Sequence, residues 1–158
     1  MSDLEFKISY KTIRDKLYEE VAPSLFQEHP VDELKPIRMA FSTRKQSHTQ
    51  GFFWISSMRQ LVYHESYLER VILMQLDFEL RPQQVVAQPC KLHFEDSAHI
   101  PDFLVCANDY KFLVDVKYEK KLQSPKFVAA REKTTKASAI LGLDNQACSE
   151  LSEIYFAD

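Results

Sequence analysis

The sequence predicts a mixed α/β fold, α+β in its layering: a central mixed sheet flanked by helices. Three observations carry the prediction. Two short apolar runs, DFLVC (residues 102–106) and KFLVDVK (residues 111–117), flank the turn pair Asn108-Asp109 and read as a β-hairpin. Over residues 66–77 apolar side chains recur every three or four positions, the period of a helix facing a core. Ser124-Pro125 and Gly142 bracket another helix, as N-cap, first-turn proline and C-terminal stop. Strands interleaved with helices in this order place the helices against one sheet.

Taken in chain order, Ile13, Leu17, Val21 and Leu25 fall at helical spacing, so residues 10–27 are expected to be helical, with a kink or break at Pro23. Residues 1–35 then form an N-terminal helical segment, ending in a polar, proline-bearing loop, and residues 36–158 form the main domain. Residues 38–44, 51–55 and 60–64 read as extended, with Ser56-Ser57 turning between the last two. Trp54 and its neighbours Phe52 and Phe53 read as core. The helix over 66–77 is closed by Pro82. Residues 85–94 have strand character interrupted by Pro89, which predicts an edge position or a bulge. After the hairpin and the helix over 125–141, residues 154–156 read as a short closing strand.

At 158 residues, 45% of them apolar, the chain is sized for one domain with a sizeable core. A net charge of −3 rules out a globally basic nucleic-acid binder, although a basic face beside an acidic site remains compatible with it. Cys90, Cys106 and Cys148 form no CxxC pair and read as reduced thiols. No basic-then-apolar leader opens the chain and no apolar run is long enough to cross a bilayer, so a cytoplasmic location is expected.

The chemistry concentrates in three segments. In FLVDVKY (residues 112–118), strand alternation points Asp115 and Lys117 the same way. Such a pair is costly to bury unless something uses it. In IPDFLV (residues 100–105), Asp102 opens the partner strand, and a short hairpin brings its carboxylate near that of Asp115. Two adjacent carboxylates repel unless a cation lies between them, and hard oxygen donors suit Mg²⁺, for which Mn²⁺ can substitute. In HESYLERVILMQLDF (residues 64–78), Glu69 begins the stripe continued by Ile72, Leu73 and Leu76, and offers a third acid to the ion. Glu65, one turn earlier, is the competing choice. The backbone carbonyl of Val116 is a further candidate ligand. The expected reaction is metal-assisted phosphodiester hydrolysis, with Lys117 orienting water or stabilising charge. From Lys117 to Lys136 the chain holds seven Lys or Arg and two acids. Lys120, Lys121, Lys126, Arg131 and Lys133, with Lys136, are candidate phosphate contacts on DNA.

Pro101-Asp102 followed by Asp115-Val116-Lys117 resembles the PD-(D/E)xK signature of the restriction-endonuclease-like superfamily. The wider series is GFFWISSMRQLVYHESYLERVILMQLDFE, Gln88-Pro89, PDFLV and VDVK. It is similar to the TnsA family, the endonuclease subunits of heteromeric, Tn7-like transposases, from Arg38 to Tyr118. The resemblance implies a restriction-endonuclease-like core with Glu69, Asp102, Asp115 and Lys117 as the catalytic set and Mg²⁺ as cofactor. It implies cleavage of one strand at each transposon 5′ end in double-stranded DNA, a partner transposase and an AAA+ regulator. Where that family can carry Gln, Asp115 is the acid commoner in the superfamily. The stretch after Lys117 is shorter than the family's additional C-terminal domain, which bears on the regulator contact.

Other readings stand beside this one: a restriction or repair nuclease of the same superfamily, or a non-catalytic nuclease-like fold that binds DNA or protein. His64 and His99 lie near the motifs, and a lone histidine there is more often structural. Gln88 stands near the site through the Gln-Pro pair.

Overall fold

The computed structural model describes residues 4–39 and 50–152. The expected strands over 38–44 and 154–156 lie largely or wholly outside the described residues. The remainder is a mixed α/β fold whose central sheet is flanked by helices.

The N-terminal part departs from the helix expected over residues 10–27. Strand β1 (Lys7–Thr12) turns at Asp15 into β2 (Leu17–Val21), and only Pro23–Gln27 is helical, as α1. The buried large side chains follow strand spacing, Phe6, Ile8 and Tyr10, whereas Ile13 of the supposed helical stripe is 59% exposed. Pro23 therefore opens a helix instead of kinking one. β3 (Leu34–Lys35) pairs with β1.

β4 (Gly51–Ile55) and β5 (Gln60–His64) form the expected hairpin, Trp54 opposite Leu61. Its inner side supplies Ile55, Val62 and Tyr63 to the core, with Phe53 packed against them. Trp54 is 52% exposed and Phe52 44%, so both lie outside the core in which the sequence placed them. α2 (Tyr67–Gln75) follows, capped by Ser66, and ends in a π-turn over Leu76–Leu80 with Arg81 in the left-handed region.

The single strand expected over 85–94 is two strands in two sheets. β6 (Gln84–Ala87) leaves the central sheet at Gln88 (φ 45°) and Pro89, and the chain re-enters as β7 (Lys91–His93), which pairs with β1. Proline cannot donate to a ladder, and a left-handed residue before it redirects the chain. β8 (Ala98–His99) folds back on β7.

β9 (Phe103–Ala107) and β10 (Tyr110–Val116) form the predicted hairpin. Both turn residues, Asn108 (φ 51°) and Asp109 (φ 70°), have the positive φ that a two-residue hairpin turn requires. α3 (Pro125–Ile140) starts at Ser124, whose Oγ accepts the Phe127 N–H, and stops before Gly142 (φ 74°). β11 (Asp144–Cys148), absent from the sequence reading, runs parallel to β10.

The central sheet has the order β11-β10-β9-β6, and the N-terminal sheet β2-β1-β7-β8 with β3 beside β1. One face of the central sheet packs Phe103, Val105, Phe112 and Val114 against Leu68, Ile72 and Leu73 of α2. The other packs Leu104 and Leu113 against Ile8, Tyr10 and Leu92, with Ala137 of α3. Coverage of both faces explains why Phe112, Leu113 and Val114 of β10 read as a continuous apolar run instead of an alternating one. Residues 4–35 thus contribute strands to the same core as the rest of the chain.

Candidate active site

Asp102 sits immediately before β9, where the hairpin brings it beside β10. Its main-chain N–H donates to the Val114 carbonyl at 3.0 Å, and its Oδ2 accepts the Val116 N–H at 2.7 Å. The residue therefore grips β10 on both sides of Asp115. The main chain also ties Asp102 to the β6–β7 crossing, because its carbonyl accepts the Gln88 N–H at 2.8 Å.

Asp115 is 2% exposed. Its Oδ1 accepts from His99 Nε2 at 2.7 Å. Lys117, two residues on and exposed, holds its ammonium 5.8 Å from the centre of the Phe127 ring, across from the start of α3. Its main-chain N–H is fixed to the Cys148 carbonyl of β11 at 2.9 Å.

Glu69 arrives from the other side of the central sheet, on the core-facing stripe of α2. It is 8% exposed and is tied to the N-cap residue Ser66. Its main-chain N–H donates to Ser66 Oγ at 3.1 Å. Its Oε2 accepts the Ser66 hydroxyl at 3.1 Å and its Oε1 the Glu65 N–H at 3.1 Å. Burial pushes the Glu69 carboxyl above the usual carboxylate range, against those hydrogen bonds. Glu65 Oε2 stands 3.6 Å from Arg38, and its charge reinforces the shift of Glu69.

The electrostatics join the four predicted residues. Burial holds the Asp102 carboxyl well above its ordinary value, and the charge of Glu69 adds to the shift. The Val116 N–H opposes it, Asp115 reinforces it, and Lys117 opposes it weakly. Two acids, Glu69 and Asp115, and one ammonium thus act on the desolvated Asp102 carboxyl, an excess of negative charge of the kind a divalent cation relieves.

The donor set is smaller than the three-acid cluster expected from the sequence. Among the described residues no three His, Cys, Asp or Glu side chains are arranged to hold a metal ion. Glu69 has both carboxylate oxygens engaged in its helix cap. That leaves Asp102 and Asp115, each with one oxygen outside the described hydrogen bonds. Mg²⁺ is commonly held by one or two carboxylates and keeps several waters, so a carboxylate pair is a donor set of the kind that ion takes. Val116 meets Asp102 through its N–H, and its carbonyl lies on the same strand between Asp115 and Lys117.

The basic candidates divide. Lys120, Lys121, Lys126 and Lys136 are exposed, the first two in a short 3₁₀ turn over Glu119–Lys121. Lys136 pairs with Glu132 at 3.4 Å. Lys133 is tied to Asp96 and Ser97 and lies over Phe94, so it faces the β7 side instead of joining a free phosphate-binding row. Arg131 lies among the inward positions of α3 between Phe127 and Thr134, with a buried Nη1 that has no hydrogen-bond partner among the described residues. His99 carries a contact that no motif announces, because its approach depends on β8 folding back. Compared with known proteins, the chain matches no family model and no curated protein.

Proposed function

We propose that this chain is a Mg²⁺-dependent DNA endonuclease with a restriction-endonuclease-like core, resembling TnsA and cutting DNA together with a partner transposase. The observation that carries the reading is the Asp102 carboxyl. It is held to β10 by the Val116 N–H, while the main chain of the same residue bonds Val114 on the other side of Asp115, and it carries the electrostatic influence of Glu69, Asp115 and Lys117 together. Neutral packing would not gather Glu69 and Asp115 around a desolvated carboxyl, since each raises the cost of ionising it and Lys117 offsets that only in part.

Asp102 and Asp115 would hold the ion through the oxygens not committed to Val116 and His99. Magnesium, when bound there, supplies Lewis-acid polarisation of a phosphate oxygen and a more acidic water. Lys117 presents an exposed ammonium on the same strand face as Asp115, suited to stabilise the charge that develops on the phosphoryl oxygens. Glu69 rigidifies the start of α2 and sets the local potential through its charge on Asp102. Lys120, Lys121 and Lys126 offer phosphate contacts without sequence discrimination.

A second reading is a nuclease-like fold that binds DNA without cutting it. The engagement of both Glu69 oxygens in the helix cap favours it. Supercoiled plasmid incubated with Mg²⁺ or Mn²⁺, with and without the partner transposase, separates the two. Nicked circles from the wild type that disappear with Asp102→Ala support the endonuclease. DNA retained in a mobility-shift assay without strand breaks, partner present, supports the binding module. A restriction or repair nuclease would nick without any transposase.

A further inference from the structure

We infer that His99 is a positioning residue for Asp115, fixing which carboxylate oxygen is offered to a divalent cation. The inference rests on the metal-site reading above and deepens it. Asp115 is buried in the central sheet, whereas His99 belongs to β8 of the N-terminal sheet, paired with Leu92. The two meet through one hydrogen bond, Nε2 to Oδ1 at 2.7 Å, which bridges the sheets. An ionised carboxylate only accepts, so Nε2 carries the hydrogen.

The consequence is geometric. A carboxylate on a strand turns about its terminal bond, and a ligand pair needs one oxygen presented in a fixed direction. With Oδ1 engaged by a ring whose strand is itself paired, Oδ2 is the oxygen left for the ion. Outer partners of this kind orient ligating carboxylates, and losing one weakens metal affinity by about 10–100-fold. A hydrogen bond serving the fold alone would affect melting and leave ion affinity unchanged.

The experiment is Mn²⁺ titration of the intact chain, read as free Mn²⁺ by electron paramagnetic resonance, beside melting without metal. Wild type, His99→Ala, His99→Asn, His99→Gln and Asp102→Ala are compared. The Gln side chain places an amide N–H near the position of Nε2, whereas Asn is too short. Expected is about a 10–100-fold rise in Kd for the Ala and Asn variants, with Gln close to wild type. Wild-type affinity in either the Ala or the Asn variant overturns the inference, as does a Gln variant that folds but binds as weakly as Ala. If the Ala variant does not fold, the Asn and Gln pair decides. Absence of Mn²⁺ binding in the wild type, or binding undiminished by Asp102→Ala, removes the metal-site reading itself.

Discussion

Replacing Asp102 with Asn is expected to raise the melting temperature at neutral pH in the absence of metal. The variant keeps a side-chain oxygen able to accept the Val116 N–H and removes a charge that burial, Glu69 and Asp115 all penalise. An aspartate in the unfolded chain titrates near about 3.9. Because the folded value lies above this, folding takes up protons as pH rises through the interval. Wild-type stability is therefore full below the unfolded value and is lost as pH climbs through the folded one. Each unit of separation removes about 1.4 kcal/mol once both states are ionised. In a chain of this size that corresponds to about 3–6 °C per unit. Melts from pH 4 to pH 8 read the difference directly, with a gap between variant and wild type that opens as pH rises and then levels off. Adding Mg²⁺ closes the gap from the wild-type side; an ion at 100 times its Kd adds about 2.7 kcal/mol. An Asn variant that melts below wild type at pH 8, or is offset equally at every pH, would refute the reasoning.

Three other outcomes follow from single contacts. Lys117→Met is expected to lower nicking by about 100-fold or more while leaving melting unchanged, because its ammonium is exposed; plasmid assays and thermal melts on one preparation check both. Ser66→Ala removes the cap that accepts the Glu69 N–H and is expected to cost about 1 kcal/mol in urea unfolding. Gly142→Ala puts a Cβ into open space but at φ 74°, so the cost is backbone strain alone, about 1–2 kcal/mol, read as a lower urea midpoint at unchanged slope.

What could be read in advance was what local chemistry decides. Asn108-Asp109 tolerates positive φ, so the β9–β10 hairpin was visible. Ser66, Ser124 and Gly142 mark helix ends through bonds made within a few residues. The acids and lysine of the candidate site were visible for a related reason: charged residues inside apolar runs stand out. The misses depend on pairing or packing beyond the local chain. Ile13, Leu17, Val21 and Leu25 imitate a helix, and what chooses strands instead is the ladder between β1 and β7 (Ile8 opposite Leu92). β11, with the sequence DNQAC, has little strand character and is held by its parallel neighbour. Trp54 and Phe52 were misassigned because the hairpin that carries them has core behind one side only. The His99 contact required β8 to fold back onto β7.

The parallel strand β11 also has a bearing on solubility and assembly. It covers the outer edge of β10 from Phe112, opposite Asp144, to Val116, opposite Cys148. If that segment detached, β10 would expose an open row of amide and carbonyl groups along its apolar sequence. Such an edge invites pairing with another copy of the chain. A polar, weakly strand-forming segment thus acts as a guard against self-association, and a cut in the loop before residue 144 is expected to give aggregates before it gives monomers.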